Sequence, residues 1–398
     1  MKILYITYDG LLEPLGQSQV LAYLEKLSSF QELDFHLISY EKPEDIKDLS
    51  LVSSIQERTN KASIKWYKTI YHKKPTALAT SFDILLGIFK SLYLVMRHRI
   101  DIVHARSYVP AFIALLLKKF TGIKFVFDMR GFWADERVDG GIWLESDNLY
   151  RISKWLERQF LLNADHVVSL TEAGVEEMKS FRYLNSNFPR ITVIPTCSDL
   201  NKFKPYKVTK NKEFTLGYLG TVGTWYLFEE TVKAFAELLK IRPESNIFII
   251  NKGEHEYISK CLEDKNIPLS RIELISSDYE EIPLLINKMD AAIFFIKPVF
   301  SKQSSSPTKL AELLGCGIPC LSNKGVGDMS RIIDAERVGI SLGDFSESSI
   351  ANGITNLISL SKEPDIKDRC INAAYKYFSL EEGVIKYKKI YKSLVKLK

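Results

Sequence analysis

Cysteine and histidine are scarce in this 398-residue chain, with five of one and six of the other. The cysteines (Cys197, Cys261, Cys316, Cys320 and Cys370) form no CxxC pair and are odd in number. That argues against a disulfide scaffold and for reduced thiols in a cytoplasmic protein. Cys316 and Cys320 stand four apart, but no histidine lies near them in sequence, so no metal centre is expected. Charge of one sign is also in short supply. The 54 Lys and Arg against 49 Asp and Glu leave +5, without the basic stripe of a nucleic-acid binder, so no nucleic acid is expected as a partner. Long apolar runs are missing too. The longest window, Phe82–Met96, is interrupted by Asp83 and Lys90 and reads as too short to cross a bilayer. Ile3–Tyr8 is too short for the apolar part of an export signal and reads as a strand. The expectation is a soluble or peripherally attached protein.

What is present suffices for large cores: 46% of residues are hydrophobic and 12% aromatic, with 26% charged. At roughly 150 residues per domain the length suggests two or three domains. Strand-like runs alternate with helix-like ones. KILYIT (2–7) precedes a helical pattern at 18–30, where Val20, Leu21, Leu24 and Leu27 recur at helical spacing. The strand-like runs 35–40, 101–106, 124–130, 166–171 and 191–196 follow, with helical stretches between them, including 83–97 and 109–120. The rhythm pauses over the polar, basic 197–212 and resumes with runs at 214–220, 246–251, 271–276, 291–296 and 318–323. This alternation predicts α/β architecture with parallel sheets covered by helices. The predicted organisation is a first Rossmann-like domain over 1–196, a linker at 197–212, a second over 213–379, and a C-terminal helix at 380–398 that crosses back to the first. Two such units place a cleft between them, and ligands sit at the carboxyl ends of the strands.

The strongest local motif is SSSPTKLAELLGCGIPCLSN, 304–323. Ser306 is a suitable N-cap and Pro307 a suitable first helical residue, while Gly315 or Gly317 ends the helix. First-turn N–H groups have no acceptor within the helix. With the dipole and Lys309 they form a cradle for a diphosphate. Lys309 and Glu312 are three apart, and Thr308 and Glu312 four apart, so they share a face, and a carboxylate one turn beyond a phosphate is placed to accept sugar hydroxyls. An ordinary surface pair between Lys309 and Glu312 explains the same spacing.

This pattern resembles the signature helix of the retaining glycosyltransferases of family 4. The resemblance implies a GT-B fold, with two Rossmann-like domains facing across a cleft and a nucleoside diphosphate-sugar donor on the second. Glu312 matches the second Glu of the family's Glu–seven-residue–Glu motif, which holds the ribose. Ser304 stands where the first Glu usually contacts the donor sugar. YDGLLEPLGQSQVLAYLEKL (8–27) is similar to the family's first loop and helix, where Gly16 approaches the donor phosphates. DIVHARS (101–107) and FDMRGFWADE (127–136) are similar to acceptor-side loops, and LTEAG, VIPTCSD and GYLGTVGTW to later landmarks. Where the family often carries an Arg and a Lys after the first strand of the second domain, this chain has Thr221, Gly223 and Thr224.

The resemblance implies a donor site of Gly16, Thr221, Gly223, Ser304, Thr308, Lys309 and Glu312, an acceptor site of His104, Arg106, Trp133, Asp135 and Glu136, and a reacting centre faced by Asp128, Arg130 and Lys309. No cofactor or metal is called for. Other readings stay open. Gly217, Gly220 and Gly223 are also explained as turn glycines or as a dinucleotide loop, Asp128–Arg130 as a structural charge network, and His104 as a hydrogen-bonded core residue. The basic, aromatic run from Arg58 to Lys74 fits either a solvated face or contact with an anionic membrane. The expected function is sugar transfer to a glycan or lipid-linked saccharide with retention of configuration, in bacterial surface polysaccharide synthesis at the inner membrane face. A nucleotide-sugar epimerase of the same shape and a non-catalytic binding subunit of a polysaccharide assembly complex are the alternatives.

Overall fold

The computed structural model describes residues 1–72 and 76–395. Lys73 and Lys74, part of the basic run, lie outside the described residues. The chain divides into two units: Met1–Pro195 with Leu380–Lys398, and Thr196–Ser379.

Among the described residues the first unit holds seven strands: β1 (Lys2–Thr7), β2 (Asp34–Glu41), β3 (Lys65–Ile70), β4 (Ile102–Arg106), β5 (Lys124–Asp128), β6 (His166–Ser169) and β7 (Ile191–Val193). They form one sheet in the order β3-β2-β1-β4-β5-β6-β7, parallel throughout. Helices cover both faces, so the central strands are nearly continuous apolar runs. Ile3, Leu4 and Ile6 of β1 are fully buried. The edge strand β3 runs through the basic segment and pairs with β2, with Lys65, Thr69 and the other residues partly exposed.

The second unit repeats the plan with six strands: β8 (Thr215–Leu219), β9 (Asn246–Ile250), β10 (Ile272–Ile275), β11 (Ala291–Ile293), β12 (Cys320–Asn323) and β13 (Gly339–Leu342), ordered β10-β9-β8-β11-β12-β13 and parallel. Gly217 of β8 leaves room for the Met289 side chain, since a Cβ there would stand 2.0 Å from Met289 Sδ. The chain reverses its direction of sheet growth between β1 and β4 in the first unit and between β8 and β11 in the second. Each reversal opens a crevice at the carboxyl ends of those strands.

Residues 197–212, expected as a linker, are grouped with the second unit, and Leu200 and Phe203 lie in its core. The C-terminal helix Leu380–Leu394 belongs to the first unit, where Lys26 pairs with Glu381 at 2.8 Å and Tyr391 is fully buried. The apolar window expected at Phe82–Met96 is part of a longer helix, Thr76–His98, of 23 residues. By length and composition alone Leu78–His98 is sufficient to cross a membrane, contrary to the sequence expectation. Its inner face is committed to the fold: Asp83 is fully buried, and a Cβ on Gly87 would stand 2.2 Å from the Tyr40 hydroxyl.

Candidate functional site

In the second unit, the segment after β8 and the helix Thr308–Gly315 meet at the β8–β11 crevice. The helix starts one residue later than the sequence suggested. Pro307 occupies the N-cap position without a side-chain cap, and the Ser306 hydroxyl instead accepts from the Thr196 backbone N–H at 3.2 Å. The first-turn amides therefore have no side-chain cap. Gly315 is the last helical residue, and Gly317, at φ +80°, turns the chain toward β12.

Lys309 projects from this first turn into the unit. It is 7% exposed, and its ammonium has no hydrogen-bond partner among the described residues. It faces aromatic rings instead: Nζ lies 3.6 Å from the centre of Tyr226, 5.1 Å from Tyr218 and 5.5 Å from Phe294. Such faces attract a cation but leave its N–H groups unsatisfied. Burial pushes its pKa down to about 7, against the pull of Glu312 and Glu254. Gly220 provides the space above it. That residue sits at φ +99°, and a Cβ there would come within 3.2 Å of Nζ. The glycine is thus needed for both backbone and clearance.

Glu312, one turn on, is 7% exposed. Its Oε1 lies 3.5 Å from the Tyr279 hydroxyl, the long limit of a hydrogen bond. Burial pushes its pKa up to about 7, with Lys309 pulling it back. No ion pair within 4.0 Å holds it among the described residues. Lys202 lies 4.1 Å from the Tyr279 ring and pairs with Glu280 at 2.8 Å. The carboxylate is thus placed to accept hydroxyl donors, and the ammonium beside it to meet an anion.

The loop itself is held by Glu254, Asn251 and Tyr218, which are not among the residues expected at the site. Glu254 turns back under the loop, and its Oε2 accepts from the Val222 N–H at 3.1 Å and from Asn251 Nδ2 at 2.8 Å. Asn251 also donates to the Gly220 carbonyl at 3.0 Å. The Tyr218 hydroxyl donates to the Thr221 carbonyl at 2.6 Å. Thr221 and Gly223 remain exposed at the rim. Ser304, 3% exposed, donates its hydroxyl to the Ser301 carbonyl at 3.0 Å.

Lys309 apart, the residues expected around the reacting centre and the acceptor lie in the first unit, and most of them are interior. Asp128, at the end of β5, is fully enclosed. Its Oδ2 accepts from the Tyr387 hydroxyl at 2.9 Å and lies 3.5 Å from His104 Nε2 and 3.9 Å from Arg106. Burial opposes its ionisation, but Arg130, His104 and Arg106 hold its pKa down to about 2. His104 is fully buried, with Nδ1 2.7 Å from the Tyr391 hydroxyl, and burial lowers its pKa. Arg106, 3% exposed, donates to Asp9 at 3.1 Å. These three form a charge network beside Tyr387 and Tyr391 of the C-terminal helix.

Arg130 differs from them. Its side chain is 13% exposed, its guanidinium lies 3.9 Å from Asp128 Oδ1, and its backbone is left-handed at φ +59°. Such a non-glycine conformation costs about 1 kcal/mol or more and persists only where the surroundings enforce it. Asp135 is tied down by the Tyr150 hydroxyl at 2.9 Å and Lys154 at 2.8 Å, and Lys154 also pairs with the buried Glu157 at 2.6 Å. Trp133 packs edge-on to Trp143, with Arg137 over its ring, and Glu136 is partly buried on the same short helix. Gly16 is buried for a packing reason: a Cβ there would stand 1.8 Å from the Gly10 carbonyl oxygen.

A sequence model described as Glycosyltransferase Family 4 matches residues 48–202, less than half of the chain. No curated protein matches by sequence. Among solved structures, the chain is similar to a glycosyltransferase from Rickettsia africae, with a TM-score of 0.70, 17% identity, and 100% of this chain and 99% of that one covered. It is similar to Anabaena HepE in complex with UDP-glucose, with a TM-score of 0.67, 14% identity, and 99% and 100% covered. It is also similar to a putative UDP-N-acetylglucosamine 2-epimerase from Listeria monocytogenes, with a TM-score of 0.63, 13% identity, and 98% and 96% covered. With two parallel-sheet α/β units of seven and six strands aligned to these chains over nearly their whole length, the fold is GT-B.

Proposed function

We propose that this chain is a glycosyltransferase that moves a sugar from a nucleoside diphosphate sugar to a hydroxyl of a glycan or lipid-linked saccharide, with retention of configuration. Its setting in this reading is surface polysaccharide synthesis on the cytoplasmic side of a bacterial membrane. The observation that carries the reading is Lys309, a buried ammonium without a hydrogen-bond partner among the described residues, at the uncapped start of a helix beneath a glycine loop. A diphosphate supplies what that ammonium and the Thr308 and Lys309 amides lack. Negative charge builds on the diphosphate as the sugar–oxygen bond breaks, and donors already oriented toward it lower the barrier electrostatically. Glu312 accepts the ribose hydroxyls. HepE, similar in fold, was obtained with UDP-glucose, which supports a nucleotide-sugar donor. Arg130 is the more exposed of the two first-unit candidate arginines, its side chain at 13% against 4% for Arg106, and Asp128 acts through it as a positioning residue.

The test is a thermal-shift screen across nucleosides, nucleoside diphosphates and their sugars, since a ligand that binds the native state raises its melting temperature. The expected result is stabilisation by one nucleoside diphosphate and its sugar, weaker for the nucleoside, and lost in Glu312→Ala for both. The proposal fails if no nucleotide shifts the melt, or if Glu312→Ala, while folded, binds as the parent does. Likeness to the putative epimerase supports a second reading on the same fold. Sugar conversion in the donor without any acceptor would favour it, and transfer only with acceptor present would exclude it.

A further inference from the structure

The helix Thr76–His98 buries one face in the first unit and leaves the other bare. Leu78, Phe82, Leu85, Phe89, Tyr93 and Met96 are each between 50% and 72% exposed. Their spacing of three and four places them on one stripe of the helix. From Leu78 to Met96 the stripe rises through about 18 steps of roughly 1.5 Å, about 27 Å in all. Monomeric soluble proteins seldom leave a continuous apolar stripe of this size in water. The helix cannot cross a bilayer while the fold is intact, because Asp83, Gly87 and Leu94 are packed inside.

Charge decides what covers the stripe. From Arg58 to Ile100 the sequence carries nine basic residues and one acid, although Arg58 is paired with Glu25 at 2.9 Å. That acid, Asp83, is fully buried and is engaged by His72 Nδ1 at 2.5 Å and the Tyr8 hydroxyl at 2.8 Å. The adjoining edge strand β3 presents Lys65 and Lys68, with Lys68 stacked 4.8 Å over Trp66 and Lys65 partly neutralised by Asp34 at 3.0 Å. Lys90, on the same helix, reaches across to the Lys68 carbonyl at 2.8 Å, so the stripe and the basic edge adjoin. A second copy of the chain would bring a like-charged surface against this one. An anionic lipid surface satisfies both the apolar stripe and the basic margin.

We propose that this face is a membrane-docking surface, on which the Thr76–His98 helix lies in the plane of an anionic bilayer with Phe82, Phe89 and Tyr93 among the acyl chains. The proposal stands apart from the transferase reading, because docking needs no donor. It is tested by co-flotation of the full chain with vesicles of phosphatidylcholine alone and of phosphatidylcholine with phosphatidylglycerol. The parent chain should float with the anionic vesicles and much less with the neutral ones, and added salt should weaken the binding. Phe89→Ser with Tyr93→Ser should reduce flotation by more than about tenfold. Leu269→Ser, which removes an equally exposed apolar residue in the second unit, should leave it unchanged. Circular dichroism melts confirm that each variant is folded. The proposal is overturned if the folded parent stays at the bottom with anionic vesicles. It is equally overturned if light scattering shows a dimer that Phe89→Ser with Tyr93→Ser dissociates, because the face would then pair with a second copy.

Discussion

The Lys309 ammonium lies 3.6 Å from the centre of the Tyr226 ring and has no hydrogen-bond partner among the described residues, although Lys309 is only 7% exposed. A buried charge held only by ring faces lowers stability, because the rings replace only part of its lost hydration. Lys309→Met keeps the length and removes the charge. The variant should melt higher than the parent while its affinity for the nucleoside diphosphate falls by about ten- to a hundredfold, the worth of a charge-assisted hydrogen bond. Affinity for the bare nucleoside should hold. Calorimetric titration with both ligands checks this, and equal loss for the two would remove Lys309 from the phosphate.

The same pair sets a pH dependence. Burial raises Glu312 from 4.5 to about 7 and lowers Lys309 from 10.5 to about 7. Between 4.5 and 7 the folded chain keeps a proton on Glu312 that the unfolded chain has released, so this contribution to stability falls as pH rises. Between 7 and 10.5 the unfolded chain keeps a proton on Lys309 that the folded chain has released, so stability recovers as pH rises. The two together place a minimum near neutrality. Lys309→Met with Glu312→Gln should be more stable than the parent by a few kcal/mol near pH 7, with the gap narrowing on both sides. Denaturant titrations across pH measure the gap, and a gap independent of pH would rule out the coupled pair.

The central strands were legible because a strand covered on both faces must be almost wholly apolar, and KILYIT and NIFIIN are. Two strands escaped notice, β3 and β13, and both are sheet edges. KWYKTI is partly exposed, so its lysines and aromatics read as a basic surface run. GISL is only four residues long, too short for a periodic signal. At the candidate site, Lys309 and Glu312 were legible because they share one turn of one helix. Their surroundings were not. Tyr279 approaches Glu312 from 33 positions away, and Glu254 reaches Val222 from 32. Local patterns carry no trace of such pairings. Asp128 shows the same limit at a strand end. A charged cluster at a strand end looks the same in sequence whether it meets a ligand or, as here, a tyrosine 259 residues later.

Gly16 offers a test of packing against ligand approach. A methyl group there would stand 1.8 Å from the Gly10 carbonyl oxygen and 3.1 Å from the Leu11 Cα. Those backbone atoms are fixed from the other side, because the buried Glu41 accepts from the Leu11 N–H at 3.0 Å and the Leu12 N–H at 3.1 Å. Gly16→Ala should therefore destabilise the chain by about 3 kcal/mol or more, the upper range for overpacking. Urea titration reads the loss without any nucleotide present. If the variant were as stable as the parent but bound nucleotide poorly, the glycine would serve the ligand and not the fold.

Asp128 and Tyr387 tie the last helix to the end of β5. The carboxylate is fully buried, one of its oxygens has no hydrogen-bond partner, and the other depends on the Tyr387 hydroxyl at 2.9 Å. Tyr387→Phe takes away that donor without changing shape and should cost about 1–3 kcal/mol, the penalty for a buried acceptor left unpaired. The acid side separates this network from general loosening. The pKa of Asp128 is lowered from 3.8 to about 2, so its contribution is present above 3.8 and is lost as pH falls through about 2. About 2 kcal/mol should disappear from the parent over that window. Asp128→Asn should be less stable than the parent at neutral pH, because Arg106 and Arg130 lose their counter-charge, and should show a smaller further loss in acid. Parallel acid titrations of the parent and Asp128→Asn, followed by far-ultraviolet circular dichroism, decide the matter. Coincident midpoints would mean that another carboxylate governs the acid transition and that Asp128 is free to be tested as a group that meets substrate.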